Sequence, residues 1–118
     1  MKRTFTYDAV VTGVYDGDTV TLDIDLGLDC TMNNQKMRLS GINAPEMRGS
    51  DKEEGNAARD WLRTRILGKS VIIETEPNKR KKERRGKYGR WIVTIWLDNV
   101  DINEALVYAG HAVRRDYG

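Results

Sequence analysis

Two short runs of this chain place oxygen-bearing side chains on tight turns: Asp16-Gly17-Asp18-Thr19 and Asn43-Ala44-Pro45-Glu46. A third segment, Lys79 to Arg90, holds eight Lys or Arg residues against the single acid Glu83. Together these residue types suit metal-assisted cleavage of a phosphodiester. Carboxylate, amide and carbonyl oxygens hold a hard cation, a further carboxylate takes a proton from water, and arginines grip a phosphate whose charge grows in the transition state. Pro45 fixes its own φ and biases Ala44 toward an extended backbone, which holds the Ala44 carbonyl and the flanking side chains in a fixed fan. Such a fan suits calcium, whereas an acidic turn without a His or Cys cluster gives no reason to expect zinc. Each turn alone also has a plain structural reading, as a hairpin or a strand-to-helix connection, so the chemistry rests on their combination.

The elements that must position these residues can be read from periodicity. Thr4 to Tyr15 and Thr19 to Leu26 alternate apolar and polar residues around Asp16-Gly17, which predicts a hairpin of two strands. Gly27 to Asn34 reads as a loop with Asn33-Asn34 at its tip, and Gln35 to Ile42 resumes an extended pattern. Ser50-Asp51-Lys52-Glu53 resembles a capping box. Ala58, Trp61, Leu62, Arg65 and Ile66 then recur at helical spacing until Gly68, with the Arg65 stem laid along that stripe. Ser70 to Glu76 and Trp91 to Leu97 are β-branched and aromatic strands flanking the basic run, and Ile102, Ala105, Leu106 and Ala109 mark a short helix closed by Gly110. Three strands, a helix, two strands and a helix match an α+β, mainly β fold: a five-stranded Greek-key barrel of the OB type with two packed helices. A small α+β sheet of another topology has the same element order, because alternation does not reveal strand order.

With 118 residues the chain is expected to form one domain, 1–118, with a single core. Hydrophobic residues at 39% argue against disorder, and no apolar run approaches the roughly 18 residues of a membrane span, so no membrane partner is expected. The basic start Met1-Lys2-Arg3 is not followed by an apolar stretch, so a cytoplasmic or intracellular chain without a secretory signal is expected, with secretion of a processed form left open. Cys30 is the one cysteine and is assigned no role. The net charge of +2 hides the uneven distribution: on charge alone the basic run reads equally as a solvated loop or as a segment that attracts polyanions by counterion release, and in the second reading single-stranded nucleic acid is the favoured partner, bound with salt-sensitive affinity. No obligatory protein partner is expected.

Adding Lys87-Tyr88-Gly89-Arg90 to the two turns makes the sequence recognisable. The chain resembles the staphylococcal nuclease, or thermonuclease-like, family in Val14 to Val20, Met37 to Glu46, Lys87 to Arg90, and Asn103-Glu104-Ala105-Leu106-Val107 followed by Gly110. The resemblance implies an OB barrel, a calcium ion, and endonuclease hydrolysis of DNA or RNA that leaves a 3′-phosphate. Carried over by motif, Asp18 and the Ala44 carbonyl would be metal ligands. Arg38 and Arg90 would hold the scissile phosphate, and Glu46 would orient or deprotonate the attacking water. Lys87 and Tyr88 would contact a terminal phosphate of the substrate. Asn43 departs from the family pattern, which has a second metal-binding Asp there. Its amide oxygen would be a neutral ligand, and weaker calcium binding is expected. The long C-terminal helix of secreted members has no counterpart before Gly118, so stability is expected to lean on core packing or a partner copy.

An alternative of a different class is a non-catalytic OB module that binds single strands through the basic run. Retention of Asp18, Arg38, Glu46 and Arg90 favours the nuclease. His111 is read as a surface or packing residue, Trp61 as a packing residue, and Asp23, Asp25 and Asp29 as acids solvating a strand edge.

Overall fold

The computed structural model describes residues 5–75 and 90–115. Strands β1 (Phe5–Asp16), β2 (Thr19–Asp25) and β3 (Thr31–Leu39) form an antiparallel meander, followed by the short strand β4 (Ile42–Asn43). A 3₁₀ turn (Gly49–Asp51) leads into helix α1 (Lys52–Ile66). Strands β5 (Ser70–Thr75), β6 (Trp91–Leu97) and β7 (Val100–Asp101), helix α2 (Ile102–Tyr108) and strand β8 (Val113–Arg114) complete the order.

β5 pairs with both β1 and β6, and β6 returns to lie parallel to β3 through Met37↔Trp91, Arg38↔Ile92 and Leu39↔Val93. That parallel pairing closes five strands in the cyclic order β1-β2-β3-β6-β5, the OB arrangement the element order predicts. Closure removes sheet edges and points alternate residues inward. Val11, Val20, Leu22, Met37, Leu39, Ile73, Val93 and Ile95 fill the barrel, capped by Leu62 and Ile66 of α1 and by Ile102 and Leu106 of α2. Truncating one of the fully buried leucines, such as Leu62 or Leu106, is expected to cost about 2–5 kcal/mol.

Several local expectations need correction. The 27–34 loop is much shorter: Gly27–Cys30 makes a tight turn, with Leu26 N–H donating to the Cys30 carbonyl at 2.8 Å, and β3 begins at Thr31. Asn33 and Asn34 lie inside β3 at a bulge, where Leu22 pairs with Gln35 and Ile24 with Met32; Asn34, with φ 57°, donates its N–H to Asp23 at 2.9 Å. A polar pair with a left-handed residue reads as a loop tip in sequence but is also the signature of a bulge. The third strand stops at Leu39, three residues before Ile42, because the chain turns at Ser40-Gly41 to start β4. Ser50 to Glu53 makes no capping box: Asp51 is the N-cap, without a side-chain hydrogen bond to the helix. Arg65 is exposed, and its guanidinium lies 3.9 Å from the ring centroid of Trp61, a member of the stripe along which it is expected to lie. Trp61 packs on the core as expected, and His111 adds to it, with ring centroids 5.8 Å apart. Asp23 and Asp25 hold a bulge and a turn through backbone N–H groups rather than merely solvating an edge. Among the described residues no helix is long and apolar enough to cross a membrane.

Candidate active site

The β1–β2 turn is the base of the site. Asp16 pairs with Thr19, leaving Gly17 and Asp18 as the two turn residues, and the Asp16 carboxylate accepts the Asp18 N–H at 3.0 Å. Gly17 is there for space, since its φ lies outside the left-handed region. A Cβ on it would come within 2.7 Å of the Ala44 methyl and 2.9 Å of the Ala58 methyl. α1 thus lies directly over this turn and over the Asn43–Glu46 turn. Gly55, one turn earlier on α1, lets the helix approach still closer: a Cβ there would collide with the Glu46 carbonyl and sit 2.8 Å from the Met47 nitrogen. A glycine inside a helix costs about 1 kcal/mol relative to alanine, and at Gly55 that cost is offset by seating the turn that carries Glu46.

The two turns are tied together by Asp18 and Arg38. Asp18 is buried, and its carboxylate accepts the Ala44 N–H at 2.9 Å and the Thr19 hydroxyl at 3.3 Å. The Arg38 guanidinium lies 3.3 Å from the same carboxylate. It also donates to the carbonyls of Asp18 and Leu39, each at 3.3 Å, to the Ile42 carbonyl at 3.1 Å and to the Asn43 amide oxygen at 3.2 Å. The backbone from 39 to 43 therefore wraps one guanidinium. A lysine has no planar fork with which to bond so many oxygens. From the far side, buried Asn103 of α2 donates to the Ser40 carbonyl at 2.9 Å and the Val93 carbonyl at 3.1 Å, and accepts the Ile95 N–H at 3.2 Å. The Asn103-Glu104 motif thus holds the Ser40 turn against β6.

Arg90 directly precedes β6 and donates to the Thr19 hydroxyl at 3.3 Å, so one hydroxyl links it to Asp18. Glu46 is exposed, its carboxylate 3.6 Å from the Arg48 guanidinium. Glu46 and Asp16 line one cleft of about 310 Å³ with Tyr15, Met47 and Arg48. The structure thus joins Asp18, Arg38, Asn43, Ala44 and Arg90 in one hydrogen-bonded cluster. It sets Glu46 on the adjoining cleft, on the same side as Asp16. Lys87, Tyr88 and the basic run before Arg90 lie outside the described residues.

Asp16 is the site residue that the motif reading left unassigned. Burial pushes its carboxyl pKa up to about 6, helped by a hydrogen bond to the Asp18 side chain and by the Asp18 charge, while the Asp18 N–H and Arg38 oppose the rise. The signal was present in the Asp-Gly-Asp spacing, where a two-residue turn sets the carboxylate of Asp18, within it, beside that of Asp16, at its start. Among the described residues no group of three or more His, Cys, Asp and Glu side chains could hold a metal. The donors here are two carboxylates, one amide oxygen and backbone carbonyls. That all-oxygen set fits a hard cation such as calcium, whose charge would offset the burial and the Asp18 repulsion that raise the Asp16 carboxyl pKa.

Comparisons with known proteins place the chain in a family. Residues 36–118 match the family described as staphylococcal nuclease homologue. The chain is 27% identical over 107 residues to a thermonuclease of Staphylococcus hyicus, covering 88% of this chain and 57% of that protein. It is 29% identical over 111 residues to a thermonuclease of Staphylococcus intermedius, covering 92% of this chain and 60% of the relative. An uncharacterized protein of Methanocaldococcus jannaschii is 28% identical over 129 residues, covering 90% of this chain and 58% of its own length. The chain thus spans less than two thirds of the length of the relatives it matches. The family match covers more than half of the chain, including Arg38, Asn43, Glu46 and Arg90. This chain belongs to the family of staphylococcal nuclease homologues.

Proposed function

We propose that this chain is a calcium-dependent nuclease that hydrolyses phosphodiester bonds of DNA or RNA and leaves 3′-phosphate ends. The observation that carries the reading is the convergence of Asp18, Arg38, Asn43 and Ala44 into one bonded cluster, with Arg90 joined through Thr19 and Glu46 on the adjoining cleft. The thermonuclease names of the staphylococcal relatives support the nuclease part of this reading.

Asp16, Asp18, the Asn43 amide oxygen and the Ala44 carbonyl would hold the calcium, which when bound supplies positive charge to the phosphate. The planar guanidinium groups of Arg38 and Arg90 can form paired hydrogen bonds to phosphate oxygens, so they stabilise the charge that builds on the phosphorane-like transition state. For Arg38 this means exchanging part of its bonding to Asp18 and Asn43 for the substrate phosphate. Glu46 is exposed on the cleft and takes a proton from the attacking water. The water oxygen bonds to phosphorus, the bond to the 5′ oxygen breaks, and that oxygen takes up a proton to leave as a hydroxyl. Lys87 and Tyr88 are assigned to a terminal phosphate, and the basic run to the trailing strand, with single strands as the favoured substrate.

The test is incubation of purified protein with end-labelled single-stranded DNA and a matched RNA, in calcium, in magnesium and in chelator, followed by identification of the product ends. Calcium-dependent fragments ending in 3′-phosphate are expected. Intact strands with salt-sensitive binding would replace this reading with the non-catalytic single-strand-binding module.

A further inference from the structure

β1 carries a bulge at its end: Val14 pairs with Val20 and Asp16 with Thr19, so Tyr15 is the extra residue. In a regular strand neighbouring side chains face opposite ways, whereas a bulge re-aims them. Here Tyr15 and Asp16 line the same cleft as Glu46 and Arg48. Arg63 of α1 donates to the Val14 carbonyl at 3.2 Å, which holds the bulge in place. The Tyr15 side chain gains nothing for the core, since the residue is 62% exposed. Its ring has the Lys36 ammonium 5.3 Å from its centroid. Arg48, whose side chain is 87% exposed, lines the same cleft. The cleft thus carries an exposed aromatic ring with one cation over it and a second cation among its lining residues.

We propose that Tyr15, with Lys36 and Arg48 beside it, forms a stacking subsite for a nucleobase of the single strand being cut, next to the phosphate that Arg38 and Arg90 grip. A phenol ring offers a face to any base, and flanking cations hold the adjoining phosphates, the combination by which single strands are bound without sequence readout. In a duplex the base is already stacked and paired, so the subsite selects unpaired strands. This inference rests on the nuclease reading and extends it to the form of the substrate.

The test reads stacking apart from cleavage. Glu46→Gln protein, which retains Tyr15 but lacks the proposed base, is titrated with a short single-stranded DNA carrying one 2-aminopurine, whose fluorescence falls on stacking. Quenching is expected in this background and when Tyr15→Phe is added. With Tyr15→Ala the quench should be lost and the affinity should fall roughly fivefold or more. In cleaving protein, Tyr15→Ala should raise KM for single strands by a similar factor with kcat nearly unchanged, the pattern of lost uniform binding. Unchanged quench and KM in Tyr15→Ala would overturn the subsite while leaving the nuclease reading intact. Quench that depends on Tyr15, without calcium-dependent cleavage by the unmodified protein, would overturn the nuclease reading and with it the subsite's place beside a scissile phosphate.

Discussion

The Arg38 guanidinium bonds the side-chain oxygen of Asn43 at 3.2 Å while lying 3.3 Å from the Asp18 carboxylate. The residues proposed to hold the metal and the arginine proposed to grip the phosphate are therefore one network, in which Asn43 contributes an oxygen without a charge. Replacing Asn43 by Asp adds a third carboxylate to the site. Calcium affinity measured by titration calorimetry is expected to rise on the order of tenfold, because affinity follows ligand charge count. The new carboxylate also strengthens the hold on Arg38, so the gain in metal affinity should exceed the gain in rate.

The two arginines should separate by structural burden. Arg90→Ala removes one preorganised donor and is expected to lower kcat by about 10²–10³-fold. Arg38→Lys should lower kcat as much and also lower the Tm more than Arg90→Ala does, since lysine cannot bond the carbonyls of Asp18, Leu39 and Ile42 together. Steady-state kinetics beside thermal unfolding of both variants checks this. Equal losses of Tm would contradict the assignment of Arg38 as the structural hub.

Gly55→Ala tests how α1 positions the base. Alanine improves helix propensity by up to about 1 kcal/mol, yet its Cβ collides with the Glu46 carbonyl. The expected outcome is a loss of kcat out of proportion to any loss of Tm, because the Glu46 turn must move while the barrel core stays packed. Full activity would show that the position of this turn does not matter to the reaction.

The pH dependence follows from Asp16. Its folded pKa of about 6 lies above the ordinary 3.8, so the folded protein binds more protons between those values. The stability owed to this group is present in full below about pH 4 and is lost as pH rises through about 6. Calcium reverses the trend, because the ion requires the carboxylate and its affinity should climb through the same window. Unfolding of the protein and of Asp16→Asn between pH 4 and 8, with and without calcium, measures both slopes. The Asp16→Asn variant should show neither contribution.

Much of this was legible in the sequence for physical reasons. Strand β6 falls at Trp91 to Leu97 as predicted, because β-branched and aromatic residues flanked by turns leave little alternative. The ends of the third strand were misplaced because both depend on tertiary structure: the Asn34 bulge needs the Asp23 carboxylate across the sheet, and the stop at Leu39 needs Asn103 on the Ser40 turn. Asp18, Arg38 and Arg90 could be named from motifs. The roles of Gly17 and Gly55 could not, since a glycine chosen for the space it leaves looks like any turn or helix glycine until its neighbour is known. Asp16 belongs between these cases, visible in the motif but distinguished by burial beside a second carboxylate.

The most direct test of the central claim is the single-turnover rate of single-stranded DNA cleavage in saturating calcium for the unmodified protein and for Glu46→Gln. A calcium-dependent rate that falls by about 10²-fold or more in the variant, with strand binding retained, is the predicted result. Equal rates in the two proteins would contradict the account, since the proton would then be taken by something other than Glu46.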